Sequence, residues 1–398
     1  MNFEMNQPPK FNYSRIASID FLRGIVMLLM ALDHTRDYFH YGAFTFDPLD
    51  LSQTNPALFL TRFITHYCAP VFVFLAGTSA FLVGQRRNKK SLSVWLLKRG
   101  IWLVIIEITL IKLGWFFDLN FSWLALQVIW VLGLSMIFLA GFVYIPKKIM
   151  LPLAFIGVLT HNLFDGLELS GTSGILWSFL HVQSMVTIND ISIFIAYPAI
   201  PWIFVMVLGY HFGALYKPST DASYRHKFLF RAGVGMLVLY LILRIPNLYG
   251  DMNQWETQDS FLFTMLSFIN VTKYPPSLLY LLITLGPSLL LLAAAEHWKG
   301  YIYDRIVVVG RVPMFYYIIH IYIIHGLATL AAVMTGYSAH EMIFDGWGPD
   351  PGHLDGYGFN LFIVYLVWIG IILGIYPVCR WYYEYKRRNR DKWWLSYL

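Results

Sequence analysis

The residues best able to do chemistry are ionisable side chains inside two long apolar stretches near the amino terminus. The first stretch ends in the run Asp33-His34-Thr35-Arg36-Asp37. Asp33, Arg36 and Asp37 are three or four residues apart, so a helix places them on one face. An ionisable group within a bilayer is costly unless it is paired or hydrated, and it therefore indicates a functional site by default.

The second apolar stretch begins with a matching polar group. Arg62 and His66 are four residues apart and share one helix face. Consecutive antiparallel helices would bring both polar groups to one depth, which we place in the outer third of the membrane. Imidazoles that titrate near neutral pH favour a proton-handling pocket there. The alternative interpretation is a structural ion network that joins the two helices.

Further polar residues are predicted on the same outer side. His40 follows the first cluster, His161 and Asn162 end the fifth apolar run, and Lys273-Tyr274 precede the eighth. A second histidine-bearing segment is the ninth run, which contains His320 near the membrane midplane. A lone intramembrane histidine is more often a hydrogen-bonded packing residue than a catalyst.

Structural roles are predicted for three charged residues. Asp20 and Arg23 are three residues apart near the cytoplasmic end of the first run, which favours an ion pair. Glu107, in the third run, is expected to satisfy polar neighbours.

The elements that must position these residues are transmembrane helices. Of the 398 residues, 58% are hydrophobic and 13% are charged, whereas soluble domains carry roughly 25% charge. Such a chain has too little polar surface to coat a globule, so lipid is its solvent. Apolar runs of spanning length predict an all-α bundle of about ten transmembrane helices, near 17–40, 57–84, 92–117, 122–144, 149–165, 192–216, 229–247, 275–295, 306–333 and 359–383.

The loop charges predict the orientation of this bundle. Lys and Arg concentrate in alternate loops, for example from Arg86 to Arg99, whereas the other loops carry Asp and Glu, with Lys273 as the exception. By the positive-inside rule, both termini are cytoplasmic. We predict one domain over 1–398, with cytoplasmic tails at 1–16 and 385–398. The Lys and Arg form no long basic face, so nucleic acid is excluded as a partner.

Several catalytic motifs are absent from the sequence. No Walker lysine motif is present, which argues against ATP-driven transport. No HExxH or Cys/His ligand spacing is present, so no metal site is predicted, and no GxSxG elbow occurs. The two cysteines, Cys68 and Cys379, are expected to remain unpaired.

The chain resembles the catalytic domain of heparan-α-glucosaminide N-acetyltransferase, and more closely the bacterial multi-spanning relatives of that family. The resemblance is strongest in the segments Arg15–Gly24, Leu32–His34 and Ala69–Ser79. Arg62–Pro70, Lys273–Leu278 and Gly310–Phe315 also look like that bacterial group.

This resemblance implies an acetyl-CoA-dependent acyltransferase that passes an acetyl group to a sugar amine across the membrane. The lysosomal enzyme uses a lumenal histidine after its first conserved helix, and His34, His40 and His66 are the candidates here. Asp33 stands where that enzyme has Asn. For the present chain, the expected partners are the bilayer, a coenzyme A thioester and an extracytoplasmic sugar or glycan. Whether the chain forms a homodimer is left open.

The predicted site then has three parts. A histidine would act as general base, with Asp33 or Asp37 orienting its ring and an arginine or Lys273 steadying the oxyanion. Catalysis is assigned to His34, Asp33, Asp37 and His66. Acceptor binding is assigned to Arg36, Arg62, His40, His161, Asn162, Lys273 and Tyr274. Cofactor binding is assigned to Arg311, Arg99, Arg86 and His320, because basic groups suit the coenzyme A phosphates.

A proton-coupled secondary transporter is the alternative function. Asp33, His34 and His66 would then relay protons, and Arg62 would bind a small anionic or sugar solute. Many transporter folds contain an internal repeat, and we find none in the sequence. Either function predicts a multi-pass protein of the bacterial cytoplasmic (inner) membrane.

Overall fold

The fold is mainly helical, with one small sheet. The computed structural model describes residues 16–346, 354–389 and 391–396, so most of the predicted tail 1–16 and part of the tail 385–398 lie outside the described residues. In chain order, the helices are α1 (Ala17–Phe39), α2 (Pro56–Thr65), α3 (Cys68–Gly84), α4 (Lys89–Ile106), α5 (Lys112–Phe116), α6 (Val128–Phe142), α7 (Lys147–Thr160), α8 (Gly171–Leu180), α9 (Trp202–Phe212), α10 (Ala222–Arg244), α11 (Phe261–Ile269), α12 (Leu278–Ala295), α13 (Tyr301–Gly310), α14 (Pro313–Met334) and α15 (Leu361–Arg388). The strands are β1 (Trp123–Leu126), β2 (Ser184–Ile188) and β3 (Ile191–Ile195).

Several helices have the length and composition that a bilayer requires. Within the described ranges, five segments are long and apolar enough to cross a membrane: Pro56–Gly84, Ala222–Arg244, Leu278–Ala295, Pro313–Met334 and Leu361–Arg388. Helix α1 is also long enough to cross a membrane, with 23 residues. It is not among the five apolar segments because its charged side chains leave no stretch of spanning length that carries as few charges. Two further apolar helical segments, Val128–Phe142 and Trp202–Tyr216, are shorter.

A three-stranded sheet corrects the all-α prediction. Its order is β1-β3-β2, with β1 parallel and β2 antiparallel to β3. Asn189 and Asp190 connect β2 to β3 with φ of 48° and 63°, as a tight two-residue hairpin turn requires. Strands β1 and β3 fall where membrane helices were predicted to start, because hydropathy alone does not separate a short buried strand from a helix end.

Helix α1 lies in the middle of the bundle, packed against α2, α3, α12, α13, α14 and α15. Two glycines allow its close approach to α13. A Cβ atom on Gly310 would lie 1.8 Å from the Asp20 carbonyl oxygen, and one on Gly24 would lie 2.2 Å from the Ile306 carbonyl oxygen. Small residues at such crossings let helix backbones pack closely in membranes. The charged residues of α1 are thereby held inside the protein.

A buried carboxylate fixes the start of α6. Glu107 lies in a π-helical turn, Glu107–Ile111, between α4 and α5. Its two carboxylate oxygens accept hydrogen bonds from the backbone N–H groups of Gln127 and Trp130, at 3.1 and 3.0 Å. Amides at a helix start lack intrahelical partners, so the predicted structural role of Glu107 is confirmed.

Candidate active site

The predicted polar residues of α1 and α2 open into one cleft of about 620 Å³. Its walls come from α1, α2, α5, α14, the first turn of α6, and the loops that follow α1 and precede α12. Its lining includes Asp33, His34, Arg36, Asp37, Asp47, Arg62, Trp115, Gln127, Gln183, Phe194, Tyr197, Lys273, Tyr274, Tyr317 and Asp345. The cleft therefore gathers residues from most of the chain length.

Asp33 is the centre of a buried ion network. Arg62 Nη1 donates to both carboxylate oxygens of Asp33, at 2.8 and 2.7 Å. Arg36 Nη2 lies 2.9 Å from Oδ1, and Thr65 Oγ1 donates to the same oxygen at 2.8 Å. Arg36 also pairs with Asp37. With its oxygens engaged in this way, Asp33 is suited to hold α1 against α2 and to fix the two guanidinium groups at the cleft.

His34 makes a hydrogen bond that fixes its tautomer. Its Nδ1 lies 2.8 Å from Nε2 of His320, whose Nδ1 lies 2.9 Å from the Tyr316 carbonyl oxygen. A carbonyl oxygen only accepts, so Nδ1 of His320 carries a proton. With both rings neutral, Nε2 of His320 then accepts from Nδ1–H of His34, and Nε2 of His34 keeps its lone pair.

The free nitrogen of His34 is available to the cleft. His34 lines the cleft, and its ring is packed edge-on against Trp115, with 4.5 Å between the ring centroids. Among the residues that the structure describes, no group is hydrogen-bonded to its Nε2. The orienting partner is therefore His320, from α14, where the sequence analysis expected Asp33 or Asp37. An imidazole with a lone pair directed to a cleft is the arrangement that a general base needs.

Tyr274 and Lys273 face this site from the loop before α12. The Lys273 ammonium lies 5.0 Å from the centre of the Tyr274 ring, and the Tyr274 hydroxyl lies 3.5 Å from that of Tyr197. Burial by itself raises the pKa of the Tyr274 phenol, but the nearby cations of Lys273 and Arg62 outweigh it and hold this pKa below its usual value. A phenol of lowered pKa is a strong hydrogen-bond donor.

The other two histidine candidates lie outside the lining of the cleft. His66 is 1% exposed, and neither ring nitrogen has a hydrogen-bond partner in the described part of the chain. His40 is buried beyond the end of α1, where its Nδ1 accepts from the Gly42 backbone N–H at 3.0 Å. Of the three histidines, His34 is the one that the fold brings to the cleft.

His161 and Asn162 also lie away from the cleft lining. They follow α7 in a 3-10 turn, His161–Phe164. The Asn162 Oδ1 atom accepts from the backbone N–H of Leu278, the first residue of α12, at 2.9 Å. These residues thus contact the helix that carries the Lys273-Tyr274 loop.

The four residues predicted to bind coenzyme A lie on different elements: Arg86 after α3, Arg99 in α4, Arg311 after α13 and His320 in α14. Arg311 donates to Asp20 at 3.1 Å and to the Tyr383 hydroxyl at 2.7 Å. Arg99 lies over the Trp95 ring at 5.1 Å. Arg86 is exposed just after α3, whereas His320 pairs with His34.

The predicted ion pair at the other end of α1 is confirmed. Arg23 Nη1 lies 3.1 Å from the Asp20 carboxylate. The same arginine donates to the Gly310 carbonyl and to Ser79 Oγ, at 3.1 and 3.2 Å. This end of α1 is therefore joined to α3 and α13 by hydrogen bonds from Arg23.

The predicted site did not include most of the aromatic and amide groups of the cleft. Trp115, Gln127, Gln183, Tyr197 and Tyr317 line the cleft, and no site role was predicted for any of them. The partnership of His34 with His320 had no sequence signal, because the two residues are 286 positions apart.

Comparison with known proteins agrees with the resemblance of the first helices. The family model described as heparan-alpha-glucosaminide N-acetyltransferase, catalytic, matches residues 15–245, which is more than half of the chain. The match contains Asp33, His34 and Arg62, whereas Lys273 and His320 lie beyond it. No curated protein matches the chain. From this match and its long apolar helices, we conclude that the chain belongs to the heparan-alpha-glucosaminide N-acetyltransferase catalytic family and is an integral membrane acetyltransferase.

Proposed function

We propose that the protein transfers an acetyl group from cytosolic acetyl-CoA to an amine or hydroxyl of an extracytoplasmic sugar or glycan, with His34 as general base. The observation that carries this proposal is the chain of hydrogen bonds from His34 through His320 to the Tyr316 carbonyl. It leaves an unprotonated nitrogen at a cleft of about 620 Å³.

In the proposed reaction, the acceptor nitrogen or oxygen attacks the carbonyl carbon of the thioester. His34 Nε2 takes the proton that the acceptor loses. The carbon–sulfur bond then breaks, and the coenzyme A thiolate leaves and takes the proton from His34. Tyr274 and Lys273 stabilise the negative charge on the carbonyl oxygen during the attack.

The charge around the cleft supports an amine as acceptor. Asp37, Asp47 and Asp345 are all lining residues, and Asp37 is the only one of them with a charge partner among the described salt bridges. Carboxylates attract the ammonium form of an amino sugar, which loses one proton to solvent to give the free amine that attacks the thioester. The aromatic lining at Trp115 and Tyr197 suits the apolar face of a sugar ring.

The proposed topology has ten spans, with both termini cytoplasmic and the cleft on the outer side of a bacterial inner membrane. The loop charges support it through the positive-inside rule. The donor would then bind on the basic side, where Arg86 and Arg99 are candidates for its phosphates. A pocket of about 470 Å³ at the start of α4 is also basic, with Arg87, Lys90 and Lys98 in its lining.

The test is acetyl transfer by the purified full chain. Protein in detergent is incubated with labelled acetyl-CoA and a panel of amino sugars and neutral sugars. We expect His34→Gln to lower the rate by about 10²–10⁴, the usual contribution of a general base. His340→Gln is the matched control, because His340 is exposed and lies outside the cleft lining.

Two results would contradict the proposal. The first is full activity of His34→Gln beside loss of activity in His66→Gln, which would move the base to α2. The second is no transfer to any acceptor together with proton-coupled solute uptake by the protein in vesicles, which would support the transporter.

A further inference from the structure

A second cluster of ionisable side chains lies outside the cleft, between α7 and α8. It consists of His161 and Asp165, which follow α7, and His181, which follows α8. The ligand atoms of these three side chains all lie within 4.8 Å of one another. His181 Nε2 lies 2.9 Å from Asp165 Oδ1, and the two imidazole centroids are 5.7 Å apart.

The burial of this cluster indicates a ligand. His161 is 2% exposed and His181 is 1% exposed. Both ring nitrogens of His161, and Nδ1 of His181, are buried without a hydrogen-bond partner in the described part of the chain. Buried polar groups in native proteins are nearly always satisfied. An ion pair between Asp165 and His181 alone would leave the His161 ring without any partner.

We propose that His161, Asp165 and His181 bind one divalent transition-metal ion, of which zinc is the best-suited class. Two imidazoles and a carboxylate are the ligands that zinc prefers, at bonds of roughly 2.0–2.2 Å. The three ligand atoms lie close enough together that small side-chain movements would place all of them at these bond lengths from one metal ion. These three ligands match neither HExxH nor a Cys/His ligand spacing, which is the reason that no metal site was predicted from the sequence.

A neighbouring amide completes the site. Asn162 Nδ2 donates to Asp165 Oδ2 at 2.7 Å, which leaves Oδ1 for the metal. Groups that orient a ligating carboxylate in this way commonly tune metal affinity. The same asparagine accepts from Leu278 N through its Oδ1, so the site is joined to the start of α12.

This position gives the metal a structural role beside the cleft. Gln183, two residues after His181, lines the cleft, and the loop before α12 supplies Lys273 and Tyr274 to it. The metal would tie the segment between α7 and β2 to the helix that carries this loop. The proposal rests on the cluster itself and does not depend on the acetyl-transfer reaction.

The test is metal content and metal-dependent stability of the full chain. The protein is purified in detergent with an affinity tag that lacks histidine, treated with a chelator, and then equilibrated with zinc alone. We expect about one zinc ion per chain by elemental analysis, and a melting temperature that rises with zinc concentration because zinc binds the folded state. Co²⁺ in place of zinc should give the visible absorption of a low-coordinate site.

The variants separate a metal site from an ion pair. We expect His161→Ala and Asp165→Asn to lose stoichiometric zinc and the melting-temperature shift, and His161→Cys to retain both, since a thiolate is also a zinc ligand. Asn162→Leu should weaken zinc binding about 10–100-fold. His340→Ala and Asp190→Asn are matched controls, because both residues are exposed.

The proposal is overturned if the parent protein binds no stoichiometric zinc. It is also overturned if His161→Ala binds as much zinc as the parent, whatever the effect of either protein on acetyl transfer. If Asp165→Asn fails to fold, the test still stands on His161→Ala. That variant keeps the Asp165–His181 ion pair, so its zinc content can be compared directly with that of the parent.

Discussion

The pairing of His34 with His320 predicts a specific effect of substitutions on α14. His320→Leu removes the acceptor of the His34 Nδ1–H group and keeps an apolar side chain in the core. His320→Gln replaces the acceptor, because its amide oxygen accepts a hydrogen bond and its amide nitrogen can donate to the Tyr316 carbonyl. The two variants thus differ mainly in whether the tautomer of His34 stays fixed.

The size of the effect follows from the burial of the hydrogen bond. His320 is fully buried, so His320→Leu leaves a buried N–H without an acceptor, at a cost of about 1–3 kcal/mol. At about 1.4 kcal/mol for each factor of ten, this corresponds to a loss of roughly 5- to 150-fold in the productive tautomer. We expect kcat to fall by about that factor in His320→Leu, which is less than the loss in His34→Gln.

The assay is the steady-state rate of acetyl transfer at saturating acceptor, across a range of pH. We expect His320→Gln to recover most of the lost kcat, with KM for the acceptor similar in all three proteins. Thermal unfolding of each variant checks that the bundle remains folded. Equal kcat values for the Leu and Gln variants would refute the tautomer argument, and so would a change confined to KM.

Four further predictions test the network, the loop and the packing of α1. Asp33→Asn leaves the buried Arg36 and the part-buried Arg62 guanidinium without this carboxylate, so we expect the free energy of unfolding to fall by at most about 3–5 kcal/mol, measured by thermal melting. Tyr274→Phe should lower kcat by about 10²–10³ through loss of an oxyanion donor. In Lys273→Met, the pKa of Tyr274 rises because the nearby cation that lowers it is gone. The alkaline limb of kcat, which reports loss of the phenol proton, should therefore move to higher pH. Gly310→Ala should destabilise the bundle by about 1–3 kcal/mol or more, because the new Cβ would lie 1.8 Å from the Asp20 carbonyl oxygen.

Matched controls define the outcomes that would contradict these expectations. Asp259→Asn changes an exposed carboxylate and should leave the melting temperature unchanged. Gly370→Ala adds a Cβ to α15 where no atom lies within 4 Å, and it should be neutral or slightly stabilising. Equal effects of Gly310→Ala and Gly370→Ala would contradict the crossing of α1 and α13. An unshifted alkaline limb in Lys273→Met would remove Tyr274 from the proposed donors.

Local patterns in the sequence predicted the helical character of the chain and its local charge pairs. Apolar length is a local property, and it located the five helices that are long and apolar enough to span a bilayer. Helical spacing is also local, and it predicted the Asp20–Arg23 pair and the shared face of Asp33 and Arg36, both of which form ion pairs. The match in depth of Arg62 with Asp33 followed from the reversal of direction between consecutive helices.

The tertiary structure alone decided which polar residues meet. Periodicity identifies the polar face of a helix, but it does not say which distant helix packs on that face. His320 reaches His34 because α14 packs against α1, and His161 reaches His181 because the chain returns past α7 after α8. Short strands β1 and β3 were hidden for a related reason: hydropathy measures burial, whereas a strand is defined by pairing with another segment. That His34, and neither His40 nor His66, lines the cleft is therefore a result of helix packing.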